Sequence, residues 1–303
     1  MARAAAVIRT GRRVEVQPGI ALHCAEAGEP GAPLMLFVHG FPEFWYAWKD
    51  VLPAFADGWH AVAPDLRGFN LSSKPTDVRA YRAPALVADL DGLIRAYGHE
   101  RAVVVAHDWG GAAAWSLAIA MPQRVSRLVI LNAPHPVPFA RLLATDPAQQ
   151  SASRYMNALR EPQAEEVLSK DGFAGLERIF HGSGTATWYD AAARAAYHEA
   201  WSQPGALTGA LGYYRASPLY PPIGDDPGAG RLALDPRDFI VRVPTQVIWG
   251  ERDHALLPSL LDGLDAVVPD LRIARLPECS HWLAHEAPGQ VVESIRGFVG
   301  EPR

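Results

Sequence analysis

Cysteine is scarce in this chain, with only Cys24 and Cys279 present. Two cysteines are too few for a disulfide framework, and the expected setting is a reducing cytoplasm. No apolar run approaches the ~18 residues that point to a membrane-spanning helix. The opening stretch, MARAAAVIRTGRR, has too short an apolar segment for a secretory leader, and its arginines continue past it. Positive charge is not in excess either: 28 Lys and Arg against 33 Asp and Glu leave a formal charge of -5. That balance argues against nucleic acid or an anionic membrane as the main partner. Internal repeats, low-complexity tracts and an HExxH metal motif are all absent. What remains is a 303-residue chain, 49% hydrophobic and 20% charged, long enough for one sizeable catalytic unit.

Short apolar runs alternate with helical patterns in both outer parts of the chain. Candidate strands are 34–38, 61–63, 102–106, 128–131, 245–249 and 272–276; candidate helices are 45–55, 83–97, 110–121 and 290–299. This alternation predicts an α/β fold with a mainly parallel sheet and helices on both faces, its strands buried on both sides. From about Pro136 to Arg237 the rhythm breaks into helical stretches without a convincing strand, followed by the Pro/Gly-rich loop PPIGDDPGAG. That block reads as a helical lid over the carboxyl edge of the sheet, where open α/β sheets bind ligands.

Ala106-His107-Asp108-Trp109-Gly110-Gly111 follows a candidate strand and opens a candidate helix. It has the small-x-nucleophile-x-small form of a nucleophile elbow, with Asp108 where a lipase carries serine. A carboxylate is already ionised at neutral pH, so its attack needs no general base. It suits displacement at saturated carbon, in an epoxide or a carbon–halogen bond, and leaves an alkyl ester on the enzyme. Two later segments supply the order nucleophile, acid, histidine: Asp253 just beyond a strand, and His281 in the loop after the next one. His281 is the expected base for water, with Asp253 orienting it. His281 and His285 have the i, i+4 spacing of a metal pair, but no third ligand is evident, and neither metal nor cofactor is expected. The loop His39-Gly40-Phe41-Pro42 follows the first core strand, so the backbone amides of Phe41 and Trp109 are the candidate oxyanion hole. Asp65 and Arg67 read as loop braces, and Trp45, Trp109, Trp188 and Trp282 default to core packing.

The segments HGFPEFW (His39–Trp45), DLRGFNLSSKP (Asp65–Pro75), HDWGG (His107–Gly111), WGERD (Trp249–Asp253) and HWLAHEAP (His281–Pro288) together resemble soluble epoxide hydrolases of the α/β-hydrolase fold. The resemblance spans nearly the whole chain. It implies a core in two parts, 1–135 and 238–303, with a helical lid over 136–237. It also implies conversion of a small apolar epoxide and water to a diol, without a cofactor. Epoxide hydrolases similar to this chain use two lid tyrosines to hydrogen-bond the epoxide oxygen. One precedes a Glu-Pro pair, matched by Tyr155 before Glu161-Pro162; the other sits in an aromatic-Tyr-Arg context, matched by Tyr214, with Tyr213 as a substitute.

HDWGG is shared with haloalkane dehalogenases and does not discriminate. Haloacetate dehalogenases resembling this chain place arginines shortly after the nucleophile, where Gly111, Ala112, Ala113 and Ala114 stand here. They place their acid where this chain has Asn132, whose amide cannot supply charge. A non-catalytic ligand-binding relative is a third alternative, and the complete triad argues against it.

Overall fold

The computed structural model describes residues 7–182 and 186–301. Among them, eight strands form one sheet: β1 (Arg9–Gln17), β2 (Ile20–Ala27), β3 (Leu34–Val38), β4 (His60–Pro64), β5 (Ala102–His107), β6 (Val125–Leu131), β7 (Thr245–Gly250) and β8 (Leu271–Leu276). Their spatial order is β1-β2-β4-β3-β5-β6-β7-β8. The first two strands run antiparallel to their neighbours, and β4 through β8 are parallel. Within β5, Ala102, Val104 and Ala106 join one hydrophobic cluster while Val103 and Val105 join the other. The two-residue period of a strand therefore feeds a core on each face, which is why these runs read as unbroken hydrophobic sequence.

Helices α1 (Ala83–Ala96) and α2 (Asp108–Ala120) follow β4 and β5. Among the described residues, six α-helices then intervene between β6 and β7: α3 (Pro136–Thr145), α4 (Pro147–Ala152), α5 (Arg154–Arg160), α6 (Ala164–His181), α7 (Ala191–Trp201) and α8 (Ala206–Ala216). Asp146 and Asp190 cap α4 and α7 by accepting from the amides of Ala148 and Ala193. Helix α6 is interrupted at 170–173, where Asp171, Gly172 and Phe173 have φ of 52°, 67° and 66°. The chain ends with α9 (Leu283–Glu286) and α10 (Pro288–Val299).

Three expectations need correction. The β1–β2 hairpin is unanticipated: β1 buries only Val14 and Val16 while its arginines face solvent, so no apolar run announces it. The helix expected over 45–55 is two short 3-10 turns, Trp45–Trp48 and Leu52–Phe55. Pro53 lacks the N–H that a continuous α-helix would need there, and its ring crowds the carbonyl four residues back. Burial on both sides fails for β8, an edge strand that exposes Arg272, Ile273 and Arg275.

Candidate active site

Each expected core residue lies just beyond the carboxyl end of a parallel strand. Register aligns those ends, pairing Val38 with Ala106, His107 with Leu131, Leu131 with Ile248, and Gly250 with Leu276. Loops leaving adjacent strands therefore converge. Asp108 occupies a left-handed backbone conformation, φ 49°, at the sharp junction of β5 and α2. A non-glycine residue is strained there and is held by its surroundings. Those surroundings require glycine: a Cβ on Gly40 would lie 2.3 Å from Asp108 Cβ, and one on Gly110 would lie 2.3 Å from the His39 carbonyl oxygen. The two loops thus approach closely enough for the Phe41 amide to donate to Asp108 Oδ1 at 2.7 Å. The amide of Trp109 lies in the first turn of α2, where N–H groups lack intrahelical acceptors.

On the other side of the carboxylate, His281 Nε2 stands 3.6 Å from Asp108 Oδ2, while its Nδ1 meets Asp253 Oδ2 at 2.6 Å. Asp253 is buried and accepts further hydrogen bonds from the Ala255 and Leu256 amides and from Asn132 Nδ2, at 2.8, 2.9 and 2.7 Å. Burial alone would raise the Asp253 carboxyl pKa, but His281, the Leu256 amide and Asn132 together hold it below its ordinary value. Burial likewise opposes charge on His281, yet Asp253 and then Asp108 overcome it and push its pKa up to about 9.

Tyr155 on α5 and Tyr214 on α8 approach from the intervening helices, their ring centroids 6.2 Å apart. Both phenols line two cavities, of about 590 and 500 Å³, and Asp108 lies where the two meet. Burial and nearby carboxylate charge raise both phenol pKa values well above the ordinary one, so each remains a proton donor. Tyr214 hydrogen-bonds with Tyr155 and with the Trp109 side chain. Tyr213 faces elsewhere with its hydroxyl, which donates to the Arg67 carbonyl at 2.9 Å, so Tyr214 is the phenol beside Asp108.

A family model described as the alpha/beta hydrolase fold matches residues 33–288. The chain belongs to the α/β-hydrolase fold family. Among its α/β-hydrolase relatives, AB hydrolase superfamily protein YfhM of Bacillus subtilis (strain 168) is 37% identical over 93% of this chain and 95% of its own length. Epoxide hydrolase 4 of Mus musculus is 32% identical, with 93% of this chain and 77% of that protein covered. The crystal structure of Bacillus megaterium epoxide hydrolase in complex with an inhibitor superposes with a TM-score of 0.86 at 33% identity, covering 95% of this chain and 99% of that one. Within the α/β-hydrolases, this chain groups with the epoxide hydrolases.

Several residues at this α/β-hydrolase site have roles the sequence reading missed. Asn132 braces the acid and also accepts from the Gly250 amide at 2.7 Å, locking the β6 and β7 ends together. Glu286 receives both the amide and the hydroxyl of Ser280 at 2.6 Å, which fixes the loop that carries His281. Glu43, buried inside the HGFPEFW segment, accepts from His107 Nδ1 at 3.1 Å and His285 Nε2 at 2.7 Å. His285 therefore points away from Asp108, and its ring stacks on Trp188 at 3.9 Å. In the sequence Glu43 is only one letter of the HGFPEFW segment, between Pro42 and Phe44. The loop-bracing reading of Asp65 and Arg67 agrees with the structure: Asp65 accepts from the Trp45 amide, His23 and Asn70, and Arg67 pairs with Asp89. Packing is an incomplete reading for Trp109 and Trp282, which line the cavities.

Proposed function

We propose that this protein hydrolyses epoxides to vicinal diols through an ester of Asp108. The observation that carries the reading is the convergence of two protonated phenols and one carboxylate on a shared cavity. Asp108 attacks a ring carbon, the ring C–O bond breaks, and the departing oxygen takes the proton of one of the two phenols, Tyr155 or Tyr214, while the other stabilises the charge by hydrogen bonding. Water then adds to the acyl carbon of the ester as His281 removes its proton, with the developing oxyanion held by the Phe41 and Trp109 amides. Collapse breaks the acyl C–O bond, the leaving alkoxide takes the proton held by His281, and the proton left on the acid returns to the phenolate, releasing the diol and restoring the carboxylate.

The first step prepares the second. The Asp108 charge helps to raise the His281 pKa, and ester formation removes that charge. His281 thus becomes easier to deprotonate when a base is required.

Leu86, Ile119, Phe139, Leu219 and Leu256 give the larger cavity an apolar wall suited to a small apolar epoxide, and the 136–237 segment serves as its lid. Ala112 and Ala113 line it where a haloacetate dehalogenase would supply cations.

Isotope labelling tests the covalent route. In a single turnover of styrene oxide with excess enzyme in ¹⁸O-water, the label is expected in Asp108 and not in the diol. Label in the first-turnover diol would mean that water attacks the epoxide directly, and would overturn the reading.

A further inference from the structure

Helix α7 is unlike its neighbours in the 136–237 segment: none of its residues lines either large cavity. Its buried face, formed by Ala193, Tyr197, Ala200 and Trp201, instead packs toward the core and ends in two polar contacts. The Trp201 indole donates to the Pro42 carbonyl at 2.6 Å, and the Tyr197 hydroxyl donates to Glu43 Oε1 at 2.9 Å. Both contacts land on the two residues that directly follow Phe41.

On its amino side the loop is held by His39, whose Nδ1 donates to the Gly40 carbonyl at 2.9 Å and whose Nε2 accepts from the Leu66 amide at 2.9 Å, and its carboxyl side has fewer ties. Gly40 carries no side chain, Pro42 has no N–H to donate, and the turn is closed by the Glu43 amide on the Gly40 carbonyl at 3.0 Å. Glu43 supplies the connection to the rest of the site. Burial would favour its neutral form, but hydrogen bonds from His107 and His285 hold its carboxyl well below the ordinary range. His107 Nε2 in turn donates to the His281 carbonyl at 2.9 Å. The loops bearing Phe41, Asp108 and His281 therefore meet through one buried carboxylate, and the buried face of α7 secures it.

We propose that Tyr197 and Trp201 are positioning residues for the oxyanion hole. They hold Pro42 and Glu43 so that the Phe41 amide stays directed at the acyl oxygen of Asp108. The inference rests on the reading of Asp108 as an ester-forming nucleophile. Its signature differs between the two steps. During alkylation the carboxylate loses charge, so its bond from Phe41 weakens. During ester hydrolysis the same oxygen gains charge, so the bond strengthens and its placement matters most. A displaced amide should slow hydrolysis and leave alkylation nearly unchanged.

The test uses Tyr197→Phe, Trp201→Phe and the double variant, each removing a donor while keeping an aromatic ring. Rapid quenching and intact-protein mass spectrometry with styrene oxide give the two rate constants separately. The double variant should hydrolyse its ester about tenfold more slowly or worse, with alkylation within about threefold of wild type. Hydrolysis at the wild-type rate would overturn the inference, as would a proportional fall in both steps, which marks a merely structural role. A wild-type protein that forms no ester would overturn the underlying Asp108 reading instead. Amide exchange at Phe41, read by NMR without substrate, supplies a second measure: it should quicken in the double variant, and unchanged protection counts against the proposal.

Discussion

At the carboxyl edge of the sheet, Asp253 accepts from His281, from Asn132 and from the Ala255 and Leu256 amides. Among the intervening helices, the phenols of Tyr155 and Tyr214 hydrogen-bond with each other, and Tyr214 also with the Trp109 side chain, where both line the cavities. The acid is saturated and therefore immobile, while the phenols retain capacity for an incoming oxygen. A saturated group suits the orientation of a base, and a spare donor suits recognition of charge that appears only during reaction. On the proposed mechanism the two half-reactions draw on different parts of the molecule, ring opening on the helices and ester hydrolysis on the sheet edge.

The largest effect that can break this division is expected from His281→Gln. Asp108 should still open an epoxide, but the ester should persist because glutamine cannot activate water; its hydrolysis should slow by ~10²–10⁴-fold. Intact-protein mass spectrometry should find one added epoxide mass per chain, mapped to Asp108. An unmodified variant after long exposure to a good substrate would count against the covalent route. An adduct cleared at the wild-type rate would show that the base lies elsewhere.

Tyr155→Phe and Tyr214→Phe probe the other half. Each should slow alkylation by about 10²-fold, with a larger loss in the double variant, because each phenol donates to charge present only in the transition state. Hydrolysis of ester once formed should stay close to the wild-type rate. Single-turnover alkylation by the double variant at full speed would remove both tyrosines from the site; equal slowing of the two steps would erase the division of labour.

The sheet edge was also the more legible region in the sequence. Asp108 follows a strand that reads as a continuous apolar run, Asp253 and His281 follow strands with shorter apolar stretches, and a parallel sheet aligns the ends of such strands. Sequence order therefore translates almost directly into proximity. The helices carry no such rule. Tyr155 and Tyr214 came from resemblance alone, and the choice between Tyr213 and Tyr214 turned on a hydroxyl partner, the Arg67 carbonyl, that lies 146 residues away in the chain. Glu43 and Asn132 were hidden for a related reason: their roles are defined by side chains brought from distant segments. The β1–β2 hairpin escaped because an edge strand with two inward valines leaves almost no hydrophobic pattern.

The smallest effect tests the electrostatic link between the two steps. In the free enzyme the His281 pKa lies at about 9, raised chiefly by Asp253 and further by Asp108. A histidine whose folded pKa exceeds its unfolded value of ~6.5 stabilises the fold through its protonated form. That contribution is fully present below about pH 6.5 and is lost as pH rises toward 9. The stability difference between wild type and His281→Gln should therefore shrink across this window. In Asp108→Asn, which imitates the charge lost on ester formation, the His281 titration should move to lower pH, since its Nε2 loses a carboxylate partner now 3.6 Å away. NMR titration of the His281 ring locates both midpoints directly, and thermal unfolding across the same pH range checks their effect on stability. An unchanged midpoint in Asp108→Asn would mean that alkylation does not prime the base, and that the two half-reactions share a site without being electrostatically coupled.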